Sequence, residues 1–291
     1  MTDMKKYIIA SVLFSVILAS CSKNAGEPFP DNSYMCFVPC FSSDTKVTDS
    51  SFEEGDSFGI YAVEYSEGVP SPLQLSGNWA NNSKALLEND SWTVNPKIWW
   101  KDDTVFDVFA YYPYIDKPNS VDNLLFELKL DQRTEGFADS DLLYAKAKGV
   151  RREDGEIELV FKHKLSRLDV NLVKGDDYEG DLPATAEVRI MSTIPAAIMN
   201  LETGDIEKDP DGLASTILAK QTDVGKFSAI VVPQKFLTQV PLIEIMVGGV
   251  SYLYSSKFIF ESGKRHTLNL TLTSNPDKVI INIGGGINDW N

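Results

Sequence analysis

Apolar and polar residues alternate with a period of two along much of this 291-residue chain. Phe58, Ile60 and Ala62 alternate with Gly59 and Tyr61, and Phe106, Val108, Ala110 and Tyr112 with Asp107, Phe109 and Tyr111. Ile157, Leu159, Phe161 and Leu165 share one face of a run whose other face carries Glu156, Glu158, Lys162 and Lys164. Leu268, Leu270 and Leu272 repeat the theme, as do Val279, Ile281 and Ile283. Successive side chains of a strand point to opposite faces, so the pattern predicts antiparallel strands packed on a core from one side. No stretch carries a convincing helical period, and no long helix is predicted.

Turn residues separate the runs. Gly248-Gly249 between two apolar stretches predicts a two-residue hairpin. Asp154-Gly155, Thr203-Gly204-Asp205 and Pro210-Asp211-Gly212 mark further turns. In the longest run the apolar positions are odd-numbered up to Leu165 but even-numbered from Leu168 through Val170 and Leu172. A flat strand cannot exchange its faces, so Ser166-Arg167 is expected to hold a bulge, a sharp twist or a break.

The N-terminus follows another rule. Lys5-Lys6 precedes an apolar run from Tyr7 to Ala19, which ends Leu18-Ala19-Ser20-Cys21. A positive start, a short apolar stretch and small residues before a cysteine form a bacterial lipoprotein signal, and the run is too short to span a bilayer. Cleavage there would start the mature chain at Cys21, anchored to a membrane by its acyl chains. Each buried CH2 adds ~0.8 kcal/mol, so several acyl chains hold where one does not. An ordinary secretory signal followed by a chance cysteine is the plainer alternative.

The chain beyond residue 20 is longer than one β-sandwich usually needs, and two domains are expected. The charged, glycine-containing stretch Gly149–Gly155 is the expected boundary. This divides the chain into a signal at 1–20, a tether at 21–33, and sandwiches at 34–150 and 151–291. Hydrophobic residues make up 43% of the chain, enough for real cores, and the net charge of −15 repels nucleic acid.

Candidate chemistry is sparse. Cys36 and Cys40 on an extended strand would lie beyond disulfide reach, so two thiols are expected unless Pro39 folds the segment back. His163 falls on an apolar strand face and reads as core, whereas His266 behind Lys264-Arg265 is expected at the surface. No Gly-x-Ser-x-Gly elbow is present, and Gly284-Gly285-Gly286 lacks the Lys-Ser/Thr of a phosphate-binding loop. Asp102-Asp103 falls short of a calcium shell, and no metal or cofactor is expected. Adjacent Trp99 and Trp100 should point to opposite faces, one in the core and one outward. An exposed indole there would suit a sugar ring, although core filling is the commoner use of such aromatics.

Several segments together resemble the fimbrillin family, the pilin, tip and anchor subunits of type V pili in Bacteroidetes. They are Ser51–Ala62, Ile98-Trp99-Trp100-Lys101 leading to Phe109–Tyr114, Asp139–Ala145, Leu159–Leu168, Thr267–Leu272 and Ile287-Asn288-Asp289-Trp290. The resemblance implies two tandem transthyretin-like β-sandwiches, a lipoprotein precursor and export to the cell surface or fimbrium, without catalysis. It further implies proteolytic removal of the first strand, after a basic residue that is usually arginine and here corresponds to Lys46. The vacated groove would take a strand from another pilus subunit. A rival expectation is a surface lipoprotein that binds a glycan or host ligand and never polymerises.

Overall fold

The alternating runs fold as strands, and the protein is all-β. The computed structural model describes residues 33–41, 51–182, 184–275, 280–282 and 286–290. The first strands are β1 (Phe37–Phe41), β2 (Ser57–Ser66), β3 (Val69–Pro70), β4 (Ala80–Glu88) and β5 (Ser91–Asn95). Next come β6 (Phe106–Tyr112), β7 (Leu124–Glu127), β8 (Leu143–Val150), β9 (Ile157–His163) and β10 (Ser166–Lys174). The chain continues with β11 (Glu187–Thr193), β12 (Ala196–Met199), β13 (Ile206–Lys208), β14 (Ser215–Leu218) and β15 (Lys220–Asp223). It closes with β16 (Lys226–Val231), β17 (Gln234–Val247), β18 (Val250–Phe260), β19 (Lys264–Leu272), β20 (Ile280–Asn282) and β21 (Ile287–Asp289). Helix among the described residues is limited to the 3₁₀ turns Glu135–Ser140 and Arg152–Asp154.

Among the described residues the strands form four sheets. The first runs β1-β9-β8-β6-β2-β4-β5, with β3 added on β2. The second is β15-β16-β10-β19-β20, with β21 also on β19, and the third is β14-β11-β17-β18. In the fourth, β7 from the first half of the chain pairs with β12, which pairs in turn with β13.

Strand β9 alternates buried and exposed positions throughout, as its sequence predicts. Strands β2 and β6 do not: Phe58–Val63 and Phe106–Tyr111 are all buried. The expectation of a single packed face fails there because the sheet is covered on both sides. Phe58, Ile60, Phe106 and Val108 face a cluster with Met35, Phe37, Ile157, Leu159 and Phe161. Tyr61, Val63, Phe109 and Tyr111 join a second cluster, which continues through Leu124, Met199 and Leu201 to Leu168 and Leu270.

The parity switch is a strand break. β9 ends at His163, and Lys164-Leu165 carries the chain from the first sheet to the second, where β10 begins at Ser166. β9 follows the charged stretch at Gly149–Gly155 yet pairs within the first sheet, so the change of sheet falls at Lys164-Leu165. The Gly248-Gly249 hairpin joins β17 to β18 with φ of +57° and +83°, the backbone that a tight primed turn demands.

Candidate functional site

Strand β1 lies at the edge of the first sheet and runs parallel to β9, with Phe37 opposite Ile157 and Phe41 opposite Phe161. Its inward side chains are apolar. Met35 and Phe37 are buried among Ile157, Leu159 and Phe161, and Val38 is exposed on the other face. Phe41 packs 4.9 Å from Phe52, whose ring also contacts Phe58, Trp92, Tyr112 and Phe161. Just upstream, the segment closes a second edge: Met35 N–H donates to the Ile98 carbonyl at 2.7 Å, and Trp100 N–H to the Ser33 carbonyl at 3.0 Å. Each buried apolar side chain of this segment stabilises the fold by about 1.5–3 kcal/mol.

Cys36 and Cys40 both belong to this segment, and neither is in a disulfide. The Cys40 thiol donates to Glu158 Oε1 at 3.3 Å, and burial pushes the Cys36 thiol above its ordinary pKa.

A cleft of about 660 Å³ opens beside the end of β1, between it and the outward face of the second sheet. His163 lines it and is buried, with Nδ1 2.9 Å from Asp141 Oδ1 and its ring stacked 4.0 Å from Trp290. Across the cleft, Asp169 accepts from Arg167 Nε at 3.0 Å, from Ser228 Oγ at 2.6 Å and from Arg265 Nε. One buried carboxylate thus serves two guanidinium groups on neighbouring strands β10 and β19 and a hydroxyl on β16, which ties the three strands together. Lys220 and Arg167 lie over the Phe137 ring, 5.3 and 5.7 Å from its centroid.

The predicted positions fare unevenly. Cys21 and Lys46 lie outside the described residues, as do Val279 and Ile283. His163 is a core histidine, as expected. His266 corrects the expectation of a surface position: it is buried, 2% exposed. The flanking cations misled, because Arg265 reaches Asp169 and Lys264 reaches Asp289, while His266 Nε2 accepts from Glu261 N–H at 3.3 Å between the Phe258 and Phe260 rings. Burial holds the His266 pKa below the ordinary imidazole value. Trp99 and Trp100 separate as predicted: Trp99 is 53% exposed and Trp100 is in the core. Asp102 makes an exposed pair with Arg152 at 3.0 Å.

Sequence reading missed Trp79 and the Asp169 cluster. The cluster had a legible trace, since Arg167 and Asp169 are two apart and share a strand face. Trp79 sits alone in a Gly/Asn-rich loop and carried no pattern.

The protein's relatives agree with this architecture. The family described as fimbrillin-like matches residues 45–290. A candidate fimbrium subunit of Bacteroides uniformis, Fim1C, is 26% identical over 306 residues, covering 98% of this chain and 95% of its own. Among solved structures, a candidate cell adhesion protein of Bacteroides uniformis superimposes with a TM-score of 0.67 at 22% identity, over 90% of this chain and 100% of that one. Another from Bacteroides ovatus gives 0.68 at 22% identity, over 82% of this chain and 89% of that one. These two structures share the fold. Five-sixths of the sequence falls within the family match, and the chain belongs to the fimbrillin-like family.

Proposed function

We propose that this protein is a lipid-anchored structural or adhesive subunit of a surface pilus, built by exchange of its first strand. It is read as two tandem transthyretin-like sandwiches that divide between residues 150 and 165, as non-catalytic, and as held in the outer membrane by acyl chains on Cys21 until cleavage after Lys46 releases it for assembly. Its partners are that membrane and other pilus subunits.

The observation that carries this reading is the placement of β1. Among the described residues this edge strand pairs with β9 alone, and Lys46 falls in the connection that joins it to Ser51. Cutting that connection would free the segment without breaking any other strand. Its departure would uncover a row of N–H and C=O groups on Ile157–Phe161 and open the slot filled by Met35 and Phe37. A neighbour's strand with apolar residues at alternate positions would fit both features.

The test is the intact mass of the protein extracted from its native outer membrane. An assembled shaft subunit should begin at Val47. A chain retained whole in its assembled form, beginning at acylated Cys21, would eliminate the shaft role and leave an anchor or a stand-alone surface protein. A chain beginning at Ser22 with no acyl mass would eliminate the lipid anchor.

A further inference from the structure

We propose that the corner where Trp79 and Trp99 meet is a binding site for a neutral carbohydrate, whose pyranose face would lie against the exposed indole surface. The proposal deepens the adhesive reading above and applies to the chain that keeps its first segment, since Tyr34 and the backbone of Ser33 and Met35 belong to the corner.

A single exposed aromatic needs no explanation. Here two tryptophans and a tyrosine are fixed together. Trp99 is 53% exposed and Trp79 39%. The Trp79 indole N–H donates to the Trp99 carbonyl at 2.8 Å, which locks one ring to the other residue's backbone. The Tyr34 ring meets Trp99 edge-on at 6.2 Å and 81°. The backbone on both sides of Trp99 is clamped to Ser33 and Met35, and Trp79 rests 5.8 Å from core Phe106. Rigid aromatic surface of this kind loses little conformational freedom when a ligand covers it.

The surroundings select the ligand. Beside Trp79, Asn78 and Asn81 form an amide turn: the Asn81 side chain accepts from Asn78 N–H at 2.9 Å and donates to the Asn78 carbonyl at 3.1 Å. Asn78 also bonds Gln74 and Asn81 through its amide, which leaves one Asn81 Nδ2–H and one Asn78 Oδ1 lone pair for a hydroxyl group. The cations at the corner are engaged: Lys97 lies over the Tyr34 ring at 4.2 Å, and Lys101 pairs with Glu64 at 2.7 Å while lying over the Trp79 ring at 5.6 Å, which leaves Trp99 as the stacking face. A polyanion would meet the chain's net charge of −15. A protein partner usually covers about 800 Å² per side, far more than two indoles offer. A ring with an apolar C–H face and a hydroxylated edge matches flat aromatic planes rimmed by amides. Weak single sites of this type gain strength when many copies are displayed together.

The test probes the full chain against an array of neutral glucan, xylan, mannan and chitin oligosaccharides, then follows the best hit by tryptophan fluorescence. Saturable binding is expected, reduced at least tenfold by Trp99→Ala, partly retained by Trp99→Tyr, and unchanged by Leu237→Ser on a distant exposed strand. Thermal melting of each variant checks its fold. The absence of any hit, or a hit that Trp99→Ala leaves intact, would overturn the proposal. So would Trp99-dependent self-association in sedimentation without sugar binding, which would make the corner a protein contact. A native chain that still carries its acylated Cys21 would end the shaft reading and leave this one standing.

Discussion

The two faces of the sheet containing β2 and β6 are covered in opposite ways. On one face the apolar cluster is shared with β1 and β9 of the same sheet and with the segment Ile98–Trp100, and β1 is joined to the rest by the single chain connection that contains Lys46. On the other, strands from both halves of the chain interlock: β7 pairs with β12, and the Tyr144 hydroxyl donates to the Leu201 carbonyl at 2.8 Å. Within the first cover, β1 is a terminal edge strand, whereas β7 and β12 both lie inside the chain. Under the strand-exchange proposal, the fold would lose β1 and keep the rest of its architecture.

The sharpest way to break this contrast is to weaken both covers equally and compare. Tyr111 is fully buried toward the interlocked face, and its hydroxyl donates to Asn82 Oδ1 at 2.7 Å. Tyr111→Ala should cost about 3–5 kcal/mol in urea denaturation, the range for a buried aromatic. Removing the acceptor in Asp169→Ala should cost about 3 kcal/mol, because it strands two guanidinium groups against a buried surface. Phe37→Ala on the separable strand should fall at the low end of the buried-aromatic range, about 3 kcal/mol, because an edge strand can relax into the gap that truncation leaves. If Phe37→Ala proves as damaging as Tyr111→Ala, β1 is an integral core strand and the contrast fails.

The smallest expected effect is electrostatic. His266 is buried with a depressed pKa, so the folded state prefers the neutral ring. The unfolded chain takes up the proton first, at about pH 6.5, and from there stability falls as pH drops toward the folded value. Thermal melting between pH 7.5 and 5.5 should therefore decline more steeply in the wild type than in His266→Gln. Parallel slopes would show that His266 does not contribute.

Much of the fold was legible because local pattern carries local structure. β9 follows its alternation, Gly248-Gly249 turns where predicted, and the parity change between Leu165 and Leu168 marks the passage from one sheet to the next, whereas β19 buries Thr271 beside Leu270 and Leu272. Pairing between distant segments left no such trace. The parallel β1–β9 contact and the β7–β12 bridge depend on how the chain closes in space. The double burial of β2 and β6 was half visible, since Tyr61, Phe109 and Tyr111 occupy what a one-sided strand would make polar. Of the site, the Trp99/Trp100 split followed from strand geometry, whereas Trp79 reaches Trp99 only through a loop without periodicity.

The most direct test of a separable first strand is hydrogen exchange at Ile157–Phe161. The chain would carry a site-specific protease sequence in place of residues 42–50, and would be cut, then freed of its N-terminal piece in mild denaturant. The expected result is loss of protection in β9 with β10 and β19 still protected, and recovery when a peptide of the Ser33–Phe41 sequence is added. Unfolding of the whole chain on removal, or no recovery with the peptide, would contradict it.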